Sequence, residues 1–453
     1  MIGTHTSVST AAELLRRANL TGLLDGRRRA CLNTWEPWLT GEALNGASPE
    51  GTAASPREEL ARLLHTGVHV GHGSIRDDVG RALVAAGLVT SDDGIYRTGR
   101  WRLSAFAGLL IAADRDYGTE HEVHLGEDSL RFAQAVLAAA PRGTVLDVGS
   151  GSGVSSAAAA RTAGSVRAID VLPDAVEATG LTCALNPGGA EVTTEVRNFA
   201  DIDLAEFDHV IVNLPGVPVP AGMPYPTAGN GGPDGLDLIR TFWKQLAAGP
   251  PRRVTMRFQS MGGVEPEVLS ELSEAFPLHT ISIGVDSAVP MRLRDAITAE
   301  RIAAITGADP DDVVGQLSDA RRTGGRTTYF CSTMNLTPGG PELDYAAPLM
   351  RLDPEGLWRR GPLLSIDDAA VWTEYCSRLR LMPDEFWSVQ GEEHVRTVGR
   401  DMHVIGGDLA AGKSPADVAG AHIQAGPAAR VGLELAIVLL AEVLDDIGIL
   451  RSR

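Results

Sequence analysis

A glycine-rich segment has the clearest chemical meaning in this sequence. Residues 145–153 read VLDVGSGSG, and Gly149, Gly151 and Gly153 follow an apolar run at alternate positions. The apolar run predicts a buried strand, and the residues after the glycines predict a helix, so the glycines form the turn between them. Because glycine accepts a tight turn and lets a ligand approach the backbone closely, the segment predicts a cofactor site.

Polar residues at the ends of the first three predicted strands indicate which cofactor this is. Asp147 precedes the first glycine, where a carboxylate repels a pyrophosphate but can hold the cationic end of a methionine moiety. Asp170 ends the next strand and can accept both hydroxyls of a ribose. Asn198 and Phe199 follow the third strand and place an amide and an aromatic ring where an adenine would lie. The pattern favours S-adenosyl-L-methionine; a dinucleotide site, or a turn that binds nothing, is the alternative.

Two further motifs follow the fourth predicted strand. This strand, residues 209–213, runs into Asn213-Leu-Pro215-Gly, and residues 231–237 read GGPDGLD. Together with the DxGxGxG turn, these motifs resemble those of the HemK-like (PrmC-like) class I methyltransferases over about residues 120–290. Those enzymes methylate the amide nitrogen of a protein glutamine and carry NPPY and GGxDGL motifs. The resemblance implies that Asn213 and the carbonyl beside Pro215 accept hydrogen bonds from a planar NH2 group, within reach of the cofactor sulfur.

The chain departs from that family at two positions. Leu214 replaces the first proline of NPPY and Gly216 replaces its aromatic residue. The missing ring removes a stacking surface for a flat substrate, which disfavours glutamine-amide and adenine-amine acceptors. Asn213 is retained, so a nitrogen is still the expected methyl acceptor; a simple end to the strand is the structural alternative for this residue.

An acidic and histidine-containing segment precedes the first helix of the predicted sheet domain. Its sequence, from Tyr117 to Glu127, contains three glutamates and two histidines, and in class I methyltransferases this region usually covers the cofactor. We take Tyr117, Glu122 and Glu127 as candidate substrate-binding residues, with an exposed acidic loop as the alternative. Residues 391–394, GEEH, are a weaker candidate of the same kind. The histidine spacing does not match a metal site, and none is expected.

Alternating helical and strand patterns predict an α/β fold with a Rossmann-like class I methyltransferase sheet. We expect a winged-helix-like module at residues 1–118, the cofactor-binding domain at 119–336 with a helical insertion at about 291–324, and a mostly helical region at 337–453. The sheet strands are predicted at 144–148, 166–170, 190–196, 209–213, 253–258, 280–285 and 326–334.

The first module is predicted to contain helices at 8–30, 56–65 and 74–86, followed by two strands around a turn at 91–94. Ser74 is the expected N-cap of the third helix, and Gly87 is expected to end it. This helix carries two arginines and two aspartates. A DNA-recognition helix should be basic, so a substrate lid or a dimer contact is favoured over DNA binding.

Composition restricts the partners of the protein. The formal net charge of -18 over 453 residues repels phosphate backbones, so nucleic acid is disfavoured. The four cysteines lie far apart, which is typical of free thiols in a reducing cytoplasm. No apolar run reaches the roughly 18 residues that span a bilayer, and the N-terminal residues lack a secretory pattern. We expect a cytoplasmic protein with a small-molecule substrate and no membrane association; a homodimer is left open.

These observations give one leading hypothesis of function. The chain is expected to be an S-adenosylmethionine-dependent N-methyltransferase that acts on a planar amide or guanidino nitrogen of an amino-acid-like small molecule, as in specialised biosynthesis. The alternatives are O-methylation of a carboxylate or hydroxyl, methylation of a protein glutamine, and a DNA-binding regulator whose methyltransferase fold only senses the cofactor.

Overall fold

The computed structural model describes most of the chain up to residue 346. The described residues are 5–18, 20, 56–67, 69–115, 122–263, 265–321, 326, 328–340 and 342–346, with short strands at 350–352, 358–360, 379–381 and 450–452. Tyr117, residues 391–394 and the helices predicted at 365–379, 391–404 and 428–444 lie wholly or mostly outside them.

Three helices and five short strands form the first part of the described structure. The elements are α1 (His5–Arg17), α2 (Pro56–Ala61), β1 (Val70–Gly71), α3 (Asp77–Ala85), β2 (Val89–Asp92), β3 (Ile95–Thr98), β4 (Trp101–Phe106) and β5 (Leu109–Asp114). Strands β1, β3 and β2 form one antiparallel sheet in that order, and β4 pairs with β5 in a separate hairpin. The helix followed by a small sheet agrees with the winged-helix-like pattern, although two hairpins replace the single strand pair that was predicted.

The two predicted ends of α3 have different outcomes. Ser74 is not the N-cap: the helix begins at Asp77 after Arg76, and the Ser74 N–H donates to the Gly71 carbonyl in a turn. At the other end Gly87 has a φ of 71°, its N–H donates to the Val84 carbonyl, and the next N–H donates to the Leu83 carbonyl. This is a Schellman C-cap, so the prediction for Gly87 is confirmed.

A ten-stranded sheet forms the centre of the molecule. Its elements in chain order are α4 (Glu127–Ala139), β6 (Thr144–Val148), α5 (Val154–Ala159), β7 (Ser165–Asp170), α6 (Pro173–Leu185), β8 (Glu191–Val196), β9 (His209–Asn213), α7 (Asp237–Ala248), β10 (Arg253–Gly262), α8 (Val268–Ala275), β11 (His279–Pro290), α9 (Met291–Thr306), α10 (Pro310–Arg321), β12 (Thr328–Pro338), β13 (Glu342–Ala346), β14 (Met350–Leu352) and β15 (Trp358–Arg360).

The strand order identifies the fold class. From one edge the order is β8-β7-β6-β9-β10-β12-β11; the first five strands are parallel and β12 is antiparallel to both of its neighbours. This is the Rossmann-like class I methyltransferase sheet that the sequence predicted. The chain reverses direction across the sheet between β6 and β9, and ligands of open α/β sheets bind at such a switch point, beyond the carboxyl ends of the strands.

Two helices lie in the region where the insertion was predicted, and the sheet extends further than the sequence indicated. Helices α9 and α10 fill the connection between β11 and β12. Beyond Leu336, where the cofactor-binding domain was predicted to end, β12 continues to Pro338 and β13 and β14 pair with β11. Edge strands present unpaired backbone groups, so the long β11 accepts these additions. The described part of 337–453 is therefore strand rather than helix.

The N-terminal elements pack directly on the sheet domain through α6. Buried apolar residues of α1, α2 and α3 form one cluster with Ala178, Leu181 and Leu185 of α6. Asn186, just after α6, accepts from the Leu110 N–H at 3.0 Å and donates to the Leu110 carbonyl at 2.6 Å. The docking of β5 thus depends on α6. Within the described residues, no helix is long and apolar enough to cross a bilayer.

We predict that Asn186→Ala lowers the free energy of unfolding by about 1–3 kcal/mol, because two backbone groups of Leu110 lose their partner at a largely buried contact. Urea unfolding followed by circular dichroism measures this change. Thr241→Ala is the control, since the Thr241 hydroxyl bonds only within its own helix and is exposed; its change should stay within about 0.5 kcal/mol. Equal effects of the two variants would contradict the docking role.

Candidate functional site

The glycine-rich turn after β6 has the conformation that a close ligand requires. Gly149, Gly151 and Gly153 have φ values of 71°, 52° and 76°. A Cβ on Gly153 would lie 2.6 Å from the Thr179 Cα in α6, so only glycine lets that helix approach. A Cβ on Gly151 would meet nothing nearer than a carbonyl oxygen at 3.9 Å. The middle of the turn therefore faces open space, where a cofactor fits.

Asp147 joins the end of β6 to the start of α5. Its Oδ2 accepts from the Ser155 hydroxyl at 2.7 Å and from the Ser156 hydroxyl at 2.5 Å. Its Oδ1 is buried and has no hydrogen-bond donor among the described residues. Burial raises the pKa of Asp147 to about 6, against the effect of the serine hydroxyls. The free acceptor is a feature that the ammonium group of a methionine moiety would satisfy.

Asp170 lies at the end of β7, next to the same turn. Its Oδ2 accepts from the Gly151 N–H at 3.0 Å, and its Oδ1 accepts from the Leu172 N–H at 3.0 Å. Burial raises the pKa of Asp170 despite these bonds, and the charge of Glu122 adds to the rise. A carboxylate has about four acceptor positions, so both oxygens can still accept from ribose hydroxyls.

The residues predicted to contact an adenine lie after β8. The Asn198 side chain is exposed, and its Oδ1 accepts from the Ala200 N–H at 3.0 Å, which caps a short 3₁₀ turn. The Phe199 ring is 9% exposed and packs edge-on against Phe242, with ring centroids 5.6 Å apart. Phe199 is thus anchored in the core, and Asn198 is the more accessible of the two; their contact with adenine stays a prediction.

Asn213 lies at the end of β9, beside the glycine-rich turn. A Cβ on Gly149 would lie 3.7 Å from the Asn213 carbonyl oxygen and 3.4 Å from Leu214 Cδ2, so the two predicted motifs meet. The Asn213 Nδ2 donates to Asp128 Oδ2 at 3.4 Å. Since a carboxylate can only accept, this contact orients the amide and turns Oδ1 away. Oδ1 is buried and lacks a donor among the described residues, so it is available to a substrate N–H.

The residues after Asn213 explain the departure from the NPPY pattern. A Cβ on Gly216 would overlap Oε1 of Gln259, a buried side chain of β10. Gly231 and Gly235 pack against the Gly216 backbone, and a Cβ on Gly231 would lie 2.8 Å from the Gly216 Cα. The Val217 N–H and carbonyl also bond to backbone groups at 229 and 231, at 2.9 Å each. An aromatic residue at 216 is incompatible with this packing.

Of the three predicted substrate-binding residues, only Glu122 has a side chain that the structure describes. Glu122 Oε2 accepts from the Ala228 N–H at 2.9 Å, which ties the segment before α4 to the proline-rich loop after Pro215. Its charge also acts on Asp170, so Glu122 lies near the cofactor side of the site. Tyr117 and the side chain of Glu127 lie outside the described residues. No group of described residues has the geometry of a metal site.

Several residues of the site were missed by the sequence analysis. Asp128, which the sequence analysis did not single out, contacts Asn213. His124 is one of the two histidines of the segment that was singled out; it is accessible to solvent and lies within electrostatic range of Asp128. Burial lowers its pKa to about 4, against Asp128, which raises it, and with three arginines that lower it further, so His124 is neutral at pH 7. These arginines are Arg301, Arg102 and Arg294. Only tertiary contacts bring these residues to one place.

One protein-family model matches part of the chain. Residues 128–218 match the family model of PrmA, the ribosomal protein L11 methyltransferase. That range contains the glycine-rich turn, Asp147, Asp170 and Asn213, and it covers less than half of the chain. No curated protein sequence matches the chain. The HemK-like branch suggested by the motifs is not confirmed by the matched family.

Solved structures similar to part of this chain include one protein bound to AdoMet and two methyltransferases. TYW2 of M. jannaschii, in complex with AdoMet, is 10% identical over 56% of this chain and 95% of its own, with a TM-score of 0.33. The M. jannaschii tRNA m1G37 methyltransferase is 13% identical over 54% and 60%, with a TM-score of 0.33. The ribosomal protein L11 methylase of Lactobacillus delbrueckii subsp. bulgaricus is 17% identical over 48% and 81%, with a TM-score of 0.26. We derive the fold from the strand order rather than from these superpositions.

The chain is therefore an enzyme with a class I methyltransferase domain, and its cofactor is S-adenosyl-L-methionine. The free Oδ1 atoms of Asp147 and Asn213 and the open glycine turn fit that cofactor. When bound, it would supply an electrophilic methyl group on a sulfonium. Asp147 and Asp170 are the residues suited to hold its ammonium and ribose groups.

We predict that Asp170→Ala weakens binding of S-adenosylhomocysteine by about 1–3 kcal/mol, because charge-assisted hydrogen bonds to the ribose are lost. Isothermal titration calorimetry measures the affinity. Asp208→Ala is the control: Asp208 also accepts from a backbone N–H, that of Thr144, but at the opposite end of β6. Unchanged affinity in Asp170→Ala would contradict the ribose assignment.

A second prediction follows from the raised pKa of Asp147. The bound ammonium favours the ionised carboxylate, so cofactor binding must release the proton that Asp147 holds below about pH 6. Affinity for S-adenosylhomocysteine should therefore be constant above pH 7 and fall roughly tenfold per pH unit below pH 6. Asp147→Asn should bind more weakly and lose this dependence; an identical pH profile in wild type and variant would refute the assignment.

Proposed function

We propose that this methyltransferase transfers a methyl group to a planar nitrogen, an amide or a guanidino group, of an amino-acid-like small molecule in a biosynthetic reaction. The observation that carries the proposal is the Asn213 side chain. Its Nδ2 is engaged by Asp128, and its buried Oδ1 is left as an acceptor beside the cofactor turn.

An acceptor oxygen at this position favours a nitrogen nucleophile. An NH2 group can donate one hydrogen to Asn213 Oδ1 and a second to the carbonyl beside Pro215, which holds the group in a fixed plane. Its lone pair then points out of that plane toward the methyl carbon. The new C–N bond forms as the C–S bond breaks, and the nitrogen then loses a proton. Asp128, a carboxylate in contact with Asn213, is the group proposed to take it.

Helices α9 and α10 support a small acceptor rather than a macromolecular one. Their buried residues form a cluster with Met223 and Tyr225 of the proline-rich loop. This packing places the insertion over the loop that follows Asn213, and enclosure of the reacting atoms excludes water. The net charge of -18 also opposes an RNA substrate. A tRNA acceptor, like that of the M. jannaschii enzyme, is therefore not the proposed substrate.

Methylation of a protein glutamine is the function of the HemK-like branch and is a less favoured candidate here. Gln259 and the glycines at 231 and 235 fill the space where the NPPY aromatic ring would stack on a flat amide. An acceptor at this site must be oriented by groups other than that ring. Esterification of a carboxylate is the other alternative. An ionised carboxylate has no hydrogen to donate to the Asn213 Oδ1, so this acceptor atom would play no part in such a reaction.

We predict that Asn213→Ala lowers kcat about 100-fold, the loss expected when a nucleophile is no longer aligned, with less than about threefold change in S-adenosylhomocysteine affinity. Formation of S-adenosylhomocysteine with amide and guanidino acceptors measures the rate, and calorimetry measures the affinity. Mass spectrometry before and after mild alkaline treatment identifies the product. A base-labile methyl ester as the wild-type product would show O-methylation and overturn the proposal.

A further inference from the structure

We infer that Arg294 binds a carboxylate of the methyl acceptor, so that the site selects acceptors that carry an oxyanion near the methylated nitrogen. The inference rests on the proposed function in one respect, since it assumes that the acceptor lies beside Asn213. It adds a specificity-determining residue in the inserted helix α9, outside the matched family segment.

Arg294 is on the inner face of α9. Met291, Thr298 and Ile302 are buried, and together with Arg294 they follow one another at intervals of three or four residues, so all four lie on one face of the helix. The guanidinium carbon of Arg294 lies 5.2 Å from the ring centroid of Tyr329 in β12. Arg294 is partly accessible to solvent and lies within electrostatic range of Tyr225 and Asp128.

One nitrogen of the Arg294 guanidinium, Nε, is buried without a hydrogen-bond partner in the part of the chain that the structure describes. The ion pairs formed there by Arg100 and Arg240, each with two carboxylates, show how other arginines of this chain are satisfied. Transfer of a cation from water into protein costs several kcal/mol unless pairing with an anion offsets this cost. A planar carboxylate fits the guanidinium fork through two parallel hydrogen bonds.

The position of Arg294 relative to Asn213 gives the anion a role in catalysis. Asp128 accepts from Asn213 and also lies within electrostatic range of Arg294, so Asp128 is near both residues. Three arginines and Asp128 act on His124 nearby, and His124 itself is neutral. Asp295, the next residue after Arg294, is also buried. The arginines of this region attract an anion although the net charge of the chain is -18. An acceptor held at Arg294 by its carboxylate can present its nitrogen to Asn213.

The side chains around Arg294 suit a compact organic anion. Tyr329 packs with Met261 and Met291 in one buried cluster, and Tyr225 approaches Arg294 from the proline-rich loop. Aromatic and methionine walls bury the apolar part of a ligand and strengthen its pairing with the guanidinium. A nucleic-acid phosphate would need an open surface, so a small carboxylate is favoured over a phosphate.

The test compares acids with their neutral amides. Glutamine, arginine and guanidinoacetate are offered beside glutaminamide, argininamide and guanidinoacetamide, which have the same planar nitrogen and no carboxylate. Binding to the S-adenosylhomocysteine-saturated full-length protein is measured by calorimetry, and methylation by mass spectrometry. We expect at least one acid to bind on the order of 30-fold or more tightly than its amide, and Arg294→Gln to abolish that preference without weakening the amide.

Controls separate a binding role from a structural one. Arg142→Gln, at an exposed arginine, should keep the preference, and cofactor affinity should be unchanged in both variants. If Arg294→Gln does not fold, Arg294→Lys keeps the charge but not the fork and should show a reduced preference. Any of three results would overturn the inference. The preference for the acid could persist unchanged in the Arg294 variants, or no acid could bind the wild type with a Kd below about 10 mM. The third result is an affinity for bulk tRNA that depends on Arg294. A methyl ester product with an intact Arg294 effect would instead refute the N-methylation proposal alone.

Discussion

The buried carboxylate of Asp147 sets the geometry on which the cofactor site depends. It ends β6 and accepts from two hydroxyls in the first turn of α5, so it fixes how the helix leaves the sheet. The intervening turn must then be short, and its residues must adopt positive φ, which glycine does at little cost. The same carboxylate keeps one oxygen without a donor. Burial makes its charge costly, and this cost favours a cationic ligand at that point.

The loop after β9, which follows Asn213, is held by close packing of backbone atoms rather than by an aromatic side chain on which a substrate could stack. Gly216, Gly231 and Gly235 let the loop after β9 and the start of α7 approach, while Gln259 closes the remaining space. In the NPPY pattern an aromatic ring would occupy this region. In the proposed function, orientation of the acceptor falls instead to Asn213 at the end of β9, Asp128 at the start of α4 and Arg294 on α9.

The inserted helices connect specificity to the sheet. They follow directly from β11 and return into β12, so their position is fixed by two long strands rather than by a flexible connection. Their apolar residues pack against Met223 and Tyr225 of the proline-rich loop, and Glu122 accepts from the Ala228 N–H of the same loop. Elements from before and after the segment matched by the PrmA family model thus both contact this loop. Residues outside that segment are the ones expected to decide the substrate.

The sequence by itself determined the sheet and the cofactor turn. The strands at β6 and β9 were predicted with their observed bounds, and the glycines, Asp147 and Asp170 were identified because their spacing along the chain is local. The cap at Ser74 failed because a turn bonded to Gly71 competes for that segment. Asp128 and Arg294 carry no signal of their own, since an acid or an arginine on a helix is ordinary, and the histidines of 117–127 were noted only as part of an acidic segment. Only the tertiary structure decided that Asp128 contacts Asn213 and lies within electrostatic range of His124 and Arg294, because such contacts join residues far apart in the chain.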